Sequence, residues 1–458
     1  MSESLIQGRT DLQGLSTAIL LPSVDLLGGS IRTALSPLTQ VVGIGLFQRT
    51  VLTLQRAGIR QLIVLSGVEE EQLKQSLAKG PRVTIPVRWM PVREFPLDDY
   101  RTWEALASEV RGFCLLSGVG GVFSRSLVEQ LRQDLRERQA IVVSQQSDES
   151  RRMQEARGWS FAGMQLADLV VLPSGIMSAA PRGGGEPGVV PVRRWLEQAA
   201  RDGHVRIVSA NEVPANWYQE LRHVSDLPVA ERRLFSSLKS EFEGFVDRYF
   251  NRTVSRWFTR LFLALGLSPN SITLLSTVIG LLAAVELSRG SYGAAVIGAL
   301  LLQLAAVIDC CDGEVARLTF TESPFGAWLD IAMDNVVHMA VFGGIGVGAY
   351  VAGAGSWPAW IPLVLSGVAI GGNALSFALV TRTQKITQAS RWSTPVHASW
   401  AEFMLKNVAS RDFTALVLAF ALLGTLDLFL WMAAAGSLIF ALAMLWVVRP
   451  SAVVAPTS

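Results

Sequence analysis

Cysteine and histidine are scarce in this chain, whose 458 residues include 3 cysteines and 4 histidines. Cys114 stands alone, whereas Cys310 and Cys311 are adjacent, so the sequence contains neither a disulfide framework nor a Cys-x-x-Cys metal site. We expect the adjacent pair to serve as small residues in a packed helix.

Charged residues are also scarce. They make up 17% of the chain, whereas about a quarter of the residues in soluble proteins are charged. The net charge is +2, and no basic surface interleaved with aromatic residues indicates nucleic-acid binding. Hydrophobic residues make up 50% of the chain, and their excess follows Trp257. This distribution predicts a soluble half joined to a membrane half, and the length allows two or three domains.

The N-terminus lacks a basic segment followed by an unbroken apolar run. We therefore expect no cleaved signal peptide and a cytoplasmic N-terminal half.

Residues 1–225 alternate short apolar runs with amphipathic stretches. This alternation predicts an α/β domain, in which helices cover a mostly parallel sheet. Helices are expected at Leu46–Ala57, Glu69–Leu77, Asp99–Val110, Ser126–Glu137 and Val192–Arg201. Strands are expected at Thr17–Pro22, Gln61–Ser66, Val83–Trp89, Phe113–Ser117, Ala140–Ser144, Leu169–Pro173 and Val205–Ala210.

Residues 226–267 are predicted to form a linker and an amphipathic helix. In Phe245–Leu265 aromatic residues alternate with arginines that recur every four positions. This pattern favours a helix in the membrane interface, and the alternative is a soluble helix packed on the domain before it.

Residues 268–450 contain six apolar stretches of the kind that cross a bilayer as helices. Asp427 interrupts the last long run, so we predict a tight turn there between the fifth and sixth spans. The expected cores are Ser271–Leu287, Ala294–Ile308, Phe325–Ala352, Trp357–Val380, Phe413–Leu426 and Leu430–Val448.

Positive charge predicts the orientation of these spans. The connection after the fourth span carries Arg382, Lys385 and Arg411, while the opposite loops carry little positive charge apart from Arg289. The positive-inside rule then places both termini in the cytoplasm, at the cell (inner) membrane.

Two pairs of aspartates lie on the cytoplasmic side of this arrangement. Asp309 and Asp312 are three residues apart, and Asp330 and Asp334 are four apart, so each pair shares one helix face. Acids at the ends of membrane spans are costly unless they bind a cation, pair or face a wet cavity. Converging carboxylates suit Mg²⁺ or Mn²⁺.

The stretch from Asp309 to Asp334 resembles the signature of the CDP-alcohol phosphotransferases, D-x2-D-G-x2-A-R-x8-G-x3-D-x3-D. The run Pro-Asn-x-x-Thr at 269–273 is similar to the entry of that family's first span. With every spacing kept, the fixed positions are Asp309, Asp312, Gly313, Ala316, Arg317, Gly326, Asp330 and Asp334.

The resemblance implies a membrane enzyme that moves a phosphoryl-alcohol group from a CDP-linked donor to a hydroxyl and releases CMP. Asp309, Asp312 and Asp330 would bind Mg²⁺ or Mn²⁺, as one or two ions. Asp334 would adjoin the metal and act as the general base. The resemblance also implies a homodimer.

Further residues receive roles from the same resemblance. Arg317 would contact a phosphate, and the small residues Gly313, Ala316 and Gly326 would let the nucleotide approach. Asn270 and Thr273 would also reach the nucleotide. Arg382, Lys385 and Arg411 are acceptor candidates on a different ground, because they are expected on the same cytoplasmic side as the acids, and they also fit a role in topology. His338 follows Asp334 by one turn, and we expect it either to line the pocket or to pack against neighbouring side chains.

Residues 1–225 resemble the sugar-phosphate nucleotidyltransferases, through AILLPS and the run from Leu35 to Gly67. That family has a lysine where Ser36 stands and a metal-binding aspartate where Val119-Gly120-Gly121 stands. Asp168 is the remaining candidate acid, and its position before an apolar strand is typical of a solvated edge residue. We therefore expect a catalytically silent domain with a regulatory, oligomeric or architectural role.

Within the family, CDGEVARLTF followed by SPFGAWLD is most similar to members that handle inositol phosphate. The expected reaction is phospholipid synthesis from CDP-diacylglycerol, with inositol phosphate or another small polar alcohol as acceptor. Two alternatives stay open, a CDP-inositol:inositol-phosphate transferase and a membrane scaffold or transporter without activity.

Overall fold

The structure is a computed structural model, and it describes residues 14–22, 26, 35–80, 83–136, 139–145, 165–178, 191–238, 252–353, 358–389 and 412–448. The chain divides into two compact units, Met1–Ser237 and Leu238–Ser458. Helix Leu227–Ser237, which the sequence places in the linker, lies within the first of these units.

The strands of the first unit are β1 (Thr17–Leu21), β2 (Gln40–Val41), β3 (Ile44–Gly45), β4 (Gln61–Ser66), β5 (Val87–Pro91), β6 (Phe113–Gly118), β7 (Gly121–Phe123), β8 (Ala140–Ser144), β9 (Leu166–Pro173), β10 (Val205–Ser209) and β11 (Tyr218–Glu220). A seven-stranded sheet runs in the order β10-β8-β9-β6-β1-β4-β5. Strand β9 is antiparallel to β6 and β8, and the other neighbours are parallel. The predicted α/β fold is confirmed.

The helices of the first unit are α1 (Leu46–Arg56), α2 (Glu70–Lys79), α3 (Tyr100–Glu109), α4 (Arg125–Gln133), α5 (Ser174–Ser178), α6 (Val192–Arg201) and α7 (Leu227–Ser237). Trp103 of α3 and Trp195 of α6 meet edge to face in the main hydrophobic cluster, with ring centroids 4.9 Å apart. Burial raises the pKa of the Cys114 thiol to about 12, so this cysteine stays protonated in the core.

The edge strand β5 begins later than the predicted Val83–Trp89. Proline has no backbone N–H to donate to a sheet, so Pro86 precedes the strand instead of lying within it. Its carbonyl still accepts the N–H of Leu62 at 3.0 Å, and pairing then starts between Leu62 and Val87.

The second unit is helical, as predicted. Among the described residues, five of its helices are long and apolar enough to cross a membrane, and a sixth apolar helix is shorter. The prediction of six spans stays a prediction. The helices are α8 (Arg252–Ala264), α9 (Pro269–Leu287), α10 (Tyr292–Thr319), α11 (Pro324–Ala352), α12 (Ile361–Ala389), α13 (Asp412–Leu423) and α14 (Leu426–Val448).

The predicted turn at Asp427 was wrong. Helix α13 ends at Leu423, Gly424 adopts a left-handed φ of 70°, and α14 begins at Leu426. Glycine adopts this conformation without a steric penalty and so ends the helix. Asp427 lies in the first turn of α14, where the helix dipole stabilises a carboxylate.

Helices α9 and α11 approach closely through glycines. A Cβ atom on Gly344 would lie 2.3 Å from the carbonyl oxygen of Ala284, and one on Gly348 would lie 2.1 Å from that of Leu287. Small residues at membrane-helix interfaces permit such backbone contact. This packing sets the distance between two of the helices that carry candidate site residues.

Helix α8 presents two different faces. Ser255, Thr259 and Phe262 are buried, whereas Trp257 and Leu261 are exposed. An exposed apolar stripe beside membrane spans fits contact with lipid. The interfacial location of this helix stays a prediction, and residues 245–251 of it lie outside the described residues.

Candidate active site

Helix α10 carries the first aspartate pair. Asp309 and Asp312 are both 6% exposed, and they lie in the second half of the helix, after its long apolar stretch. The helix ends at Phe320, which adopts a left-handed φ of 60° and donates its N–H to the carbonyl of Ala316. The three-residue spacing places both carboxylates on one side of the helix, as predicted.

Helix α11 carries the second pair. Ser323 caps its N-terminus by accepting the N–H of Gly326 at 3.0 Å, and Pro324 occupies the first turn. This start places Asp330 and Asp334 about two to three turns into the helix.

Three of the four acids converge between these helices. Carboxylate oxygens of Asp309, Asp330 and Asp334 all lie within 4.8 Å of one another. Oxygens that bind one Mg²⁺ at about 2.1 Å would lie about 3 to 4 Å apart, so small side-chain movements would complete a coordination sphere. The three acids therefore fit a hard divalent cation.

Asp312 lies outside this group of three. Its carboxylate accepts a hydrogen bond from the hydroxyl of Thr273 on α9. On the same helix, the hydroxyl oxygen of Ser276 lies 3.3 Å from a carboxylate oxygen of Asp309 and 2.8 Å from the carbonyl oxygen of Thr273, which is its closer acceptor. Helix α9 thus places a hydroxyl beside both Asp309 and Asp312, and the one on Thr273 is a donor that orients its carboxylate. We did not predict Ser276 or this contact of Thr273 from the sequence.

The predicted nucleotide residues lie on α9, α10 and α11, and several of them are close to one another. The guanidinium of Arg317 extends over Gly313, because a Cβ on that glycine would lie 3.2 Å from Nη1. A Cβ on Gly326 would lie 3.2 Å from Oδ1 of Asn270, which places the N-terminal ends of α9 and α11 side by side. Ala316 is half-buried on the face that carries Asp309 and Asp312.

A cavity of about 50 Å³, enough for a few water molecules, extends from Asp309 and Asp334 into the helical bundle. His338 and Thr414 contribute to its wall. The imidazole of His338 also packs edge to face on Phe413, with centroids 4.9 Å apart. His338 therefore has both of its predicted roles, since it packs against an aromatic ring and lines a pocket at the acids.

The acceptor candidates are only partly described. Arg382 and Lys385 belong to the C-terminal turns of α12, but their side chains lie outside the described residues. Arg411 lies outside them entirely.

In the first unit, the predicted solvated position of Asp168 was wrong. Asp168 is 4% exposed and accepts the N–H of Leu26, in the loop after β1, at 2.9 Å. Its carboxylate fills the space above Gly118, where a Cβ would lie 1.7 Å from Oδ2. The side chain is buried because β9 lies in the middle of the sheet and not at its edge.

Apolar helices around a cluster of carboxylates define a multi-pass membrane protein with a candidate divalent-metal centre. Residues 266–454, which contain all four aspartates, match the family model of CDP-alcohol phosphatidyltransferase.

Two relatives illustrate the similarity. The bifunctional IPC transferase and DIPP synthase of Aquifex aeolicus is 32% identical over 136 residues, which are 29% of this chain and 30% of the relative. The phosphatidylinositol phosphate synthase of Corynebacterium glutamicum is 37% identical over 86 residues, which are 19% of this chain and 38% of the relative. The matched segments span about a third of the length of these relatives.

Solved structures resemble different portions of the chain. A nucleotidyl transferase from Methanothermobacter thermautotroptrophicus is 14% identical and covers 48% of this chain and 98% of its own, with a TM-score of 0.35. The Mycobacterium tuberculosis phosphatidylinositol phosphate synthase with CDP-DAG bound is 19% identical and covers 45% of this chain and 99% of its own, with a TM-score of 0.31.

Proposed function

We propose that the chain is a metal-dependent phosphotransferase of phospholipid biosynthesis. It transfers the phosphatidyl group of CDP-diacylglycerol to a hydroxyl of a small polar alcohol, inositol phosphate, and releases CMP. The observation that carries the proposal is the convergence of Asp309, Asp330 and Asp334 from two helices of the domain that matches the family.

Asp309, Asp312 and Asp330 would hold one or two Mg²⁺ or Mn²⁺ ions, with Asp334 adjoining them. When bound, the ions neutralise the charge that develops on the donor's pyrophosphate. The hydroxyl of Thr273 supports this assignment, because it orients the carboxylate of Asp312 from α9, and the hydroxyl of Ser276 lies beside Asp309.

Asp334 acts as the general base. It removes the proton of the acceptor hydroxyl while the hydroxyl oxygen attacks the phosphorus that carries the donor's alcohol. A bond forms between that oxygen and the phosphorus, and the bond from the phosphorus to the bridging oxygen breaks. The bridging oxygen leaves as part of CMP.

The nucleotide half of the donor lies against the N-terminal ends of α9 and α11. Arg317 binds a phosphate, and Gly313, Ala316 and Gly326 leave space for the nucleotide. Asn270 and Thr273 contact it from α9. The close approach of Asn270 to Gly326 supports a shared nucleotide site.

Arg382, Lys385 and Arg411 bind the phosphate of the acceptor. Inositol phosphate is the proposed acceptor because the Corynebacterium relative is named a phosphatidylinositol phosphate synthase. The wider set of relatives also includes an archaetidylinositol phosphate synthase from Pyrococcus horikoshii.

The two parts of the chain have different roles in this proposal. The helical part spans the inner membrane as a homodimer, with the acids and both termini on the cytoplasmic side, as the positive charge after α12 favours. The first unit is catalytically silent. Two observations support this proposal: Asp168 anchors the loop after β1, and the apolar Val119 stands where the related nucleotidyltransferases have an acid.

A second candidate is transfer from CDP-inositol to inositol phosphate, which yields a soluble phosphodiester. The Aquifex relative, named a bifunctional IPC transferase and DIPP synthase, favours this candidate. The two reactions share the acids and differ in the donor's alcohol.

The test is a matrix of donors and acceptors. Purified protein with Mg²⁺ is given CDP-diacylglycerol or CDP-inositol together with inositol phosphate, inositol or glycerol phosphate. We expect CMP and an organic-extractable product from CDP-diacylglycerol with inositol phosphate. CMP and a water-soluble product from CDP-inositol alone would establish the second candidate. No CMP from any pair would refute both.

A further inference from the structure

Glu314 is a buried acid that the proposed chemistry does not use. It lies on α10 two residues after Asp312 and is 2% exposed. Both of its carboxylate oxygens accept hydrogen bonds from α8: the hydroxyl of Ser255 donates to Oε1 at 3.1 Å, and that of Thr259 donates to Oε2 at 2.7 Å. We name these three side chains the hydroxyl clamp.

The clamp lies on the opposite side of α10 from the metal acids. At 3.6 residues per turn, Glu314 is rotated by about 200° from Asp312 and by about 140° from Asp309. The acids therefore face α9 and α11 while Glu314 faces α8. A contact on this back face controls how far α10 can rotate or slide.

The surroundings of the clamp make its hydrogen bonds necessary. Ser255 and Thr259 are both 0% exposed. An apolar cluster lies beside them, formed by Phe262, Ile272, Ile308, Cys311 and Val315. A buried carboxylate without donors would be strongly destabilised in such a place. Because hydrogen bonds are directional, the clamp restricts the relative position of α8 and α10 more than apolar contacts alone would.

A third contact joins the same turns of the two helices. The sulfur of Cys311 lies 3.5 Å from the backbone carbonyl oxygen of Ser255, and 3.3 Å from that of Val307 in its own helix, which is the closer acceptor of its proton. Cys311 immediately precedes Asp312. Helix α8 therefore contacts α10 on both sides of Asp312 in the sequence, through Cys311 before it and Glu314 after it.

We propose that Glu314 is a positioning residue for the metal centre. By binding Ser255 and Thr259, it fixes the rotation of α10, and this rotation aims Asp309 and Asp312 at Asp330 and Asp334. Glu314 touches neither nucleotide nor cation. The proposal rests on the proposed function only for its effect on catalysis, because its effect on cation binding is measured separately.

The test measures Mn²⁺ binding to the purified full-length chain, with and without CMP, from the electron paramagnetic resonance signal of free Mn²⁺. Thr259→Val removes one donor and keeps the shape of the side chain, and Thr259→Ser keeps the hydroxyl. We expect about 10-fold weaker Mn²⁺ binding for Thr259→Val and for Glu314→Leu, and unchanged binding for Thr259→Ser.

The matched control is Ser366→Ala. The hydroxyl of Ser366 donates to the carbonyl of Phe342 at 2.8 Å, which is also a buried hydrogen bond between helices. It lies between α11 and α12, away from the acids. We expect this variant to bind Mn²⁺ as the wild type does, although it loses a similar contact.

A combined variant separates positioning from general damage. In Ser255→Ala with Thr259→Val, Glu314 loses both donors while its carboxylate stays buried. Adding Glu314→Leu removes that carboxylate, so we expect it to restore part of the lost Mn²⁺ affinity. If Glu314→Leu does not fold, the comparison of Thr259→Val with Thr259→Ser still tests the proposal.

Each outcome has one meaning. Wild-type Mn²⁺ affinity in Thr259→Val would overturn the positioning role, and so would an equal loss in Ser366→Ala. A wild-type chain that binds no Mn²⁺, with or without CMP, would overturn it as well. If the wild type releases no CMP from any donor but Thr259→Val weakens Mn²⁺ binding, the proposed reaction fails and the positioning role stands.

Discussion

The hydroxyl of Thr273 donates a hydrogen bond to the carboxylate of Asp312, which joins the start of α9 to the end of α10. The same hydroxyl lies 3.2 Å from the carbonyl oxygen of Pro269, one turn earlier in its own helix. Because the hydroxyl has one proton and the Asp312 oxygen is its closer acceptor, the Pro269 carbonyl is a neighbour and not a second partner. Asp312 lies outside the group of three acids, and this contact holds its carboxylate against α9.

Thr273→Val should weaken cation binding, because the isosteric side chain cannot donate to Asp312. Loss of a partner that orients a metal ligand typically costs about 10- to 100-fold in metal affinity. The measurement is the Mg²⁺ concentration that gives half-maximal CMP release. Thr273→Ser keeps the hydroxyl and should need nearly the wild-type concentration. An unchanged requirement in Thr273→Val would show that the bond does not support the metal centre.

Asp334→Asn should abolish most of the transfer reaction, because an amide cannot remove the acceptor's proton. General bases contribute about 10²- to 10⁴-fold to a rate, so CMP release should fall by a factor in that range. Asp427→Asn is the control, since Asp427 is an exposed aspartate in the first turn of α14. Undiminished release from Asp334→Asn would refute its role as the base.

Gly348→Ala should destabilise the helical unit. The added methyl group would lie 2.1 Å from the carbonyl oxygen of Leu287, so α9 and α11 must separate. Overpacking of this kind costs about 1–3 kcal/mol, which should appear as a lower Tm in detergent. Gly367→Ala adds a methyl group with nothing within 4 Å and should leave Tm unchanged or slightly higher. Equal Tm values for the two variants would contradict the close packing.

The first unit should not turn over CTP. Its candidate acid Asp168 binds the N–H of Leu26, and Ser36 stands where the nucleotidyltransferases that the sequence resembles have a lysine. No pyrophosphate should appear when the chain is incubated with CTP, Mg²⁺ and inositol phosphate. Pyrophosphate above the level seen without protein would overturn the silent-domain proposal.

Asp168 should instead matter for stability. Asp168→Ala leaves the N–H of Leu26 without this acceptor, and such a loss costs about 1–3 kcal/mol. The measurement is the free energy of unfolding of the first unit within the intact chain, followed by its tryptophan fluorescence. Wild-type stability in this variant would contradict an anchoring role.

The sequence was sufficient for the parts of the fold that depend on local pattern. Long apolar runs predicted the membrane helices, and the β-α alternation predicted the sheet. Predictions failed where the same residue type is compatible with two different structural contexts. Asp427 favours a turn but also favours the first turn of a helix, and Gly424 ends α13. From the sequence alone, Asp168 is expected at the solvated edge of a strand. The strand order shows that it is buried, because β9 lies between β6 and β8.

The candidate site was predictable to the extent that its residues lie in a spaced signature. All four aspartates were expected to converge; the carboxylates of Asp309, Asp330 and Asp334 do, and that of Asp312 lies outside their group. The supporting contacts were not predictable, because they join residues far apart in the chain. Glu314 occupies a variable position of the signature, and its partners lie 55 and 59 residues earlier. The sequence feature that could have indicated this contact is a glutamate in an apolar helix, together with two hydroxyl residues spaced four apart on the amphipathic helix before the first span.

CMP release from CDP-diacylglycerol and inositol phosphate, measured with Mg²⁺ and again with excess EDTA, tests the central claim most directly. The acids on α10 and α11 predict release with Mg²⁺, loss of release in EDTA and recovery when Mn²⁺ is added. Release that persists in EDTA would contradict a metal-dependent transferase. Absence of release with Mg²⁺ or Mn²⁺, from this donor and from CDP-inositol, would contradict the assignment of the reaction itself.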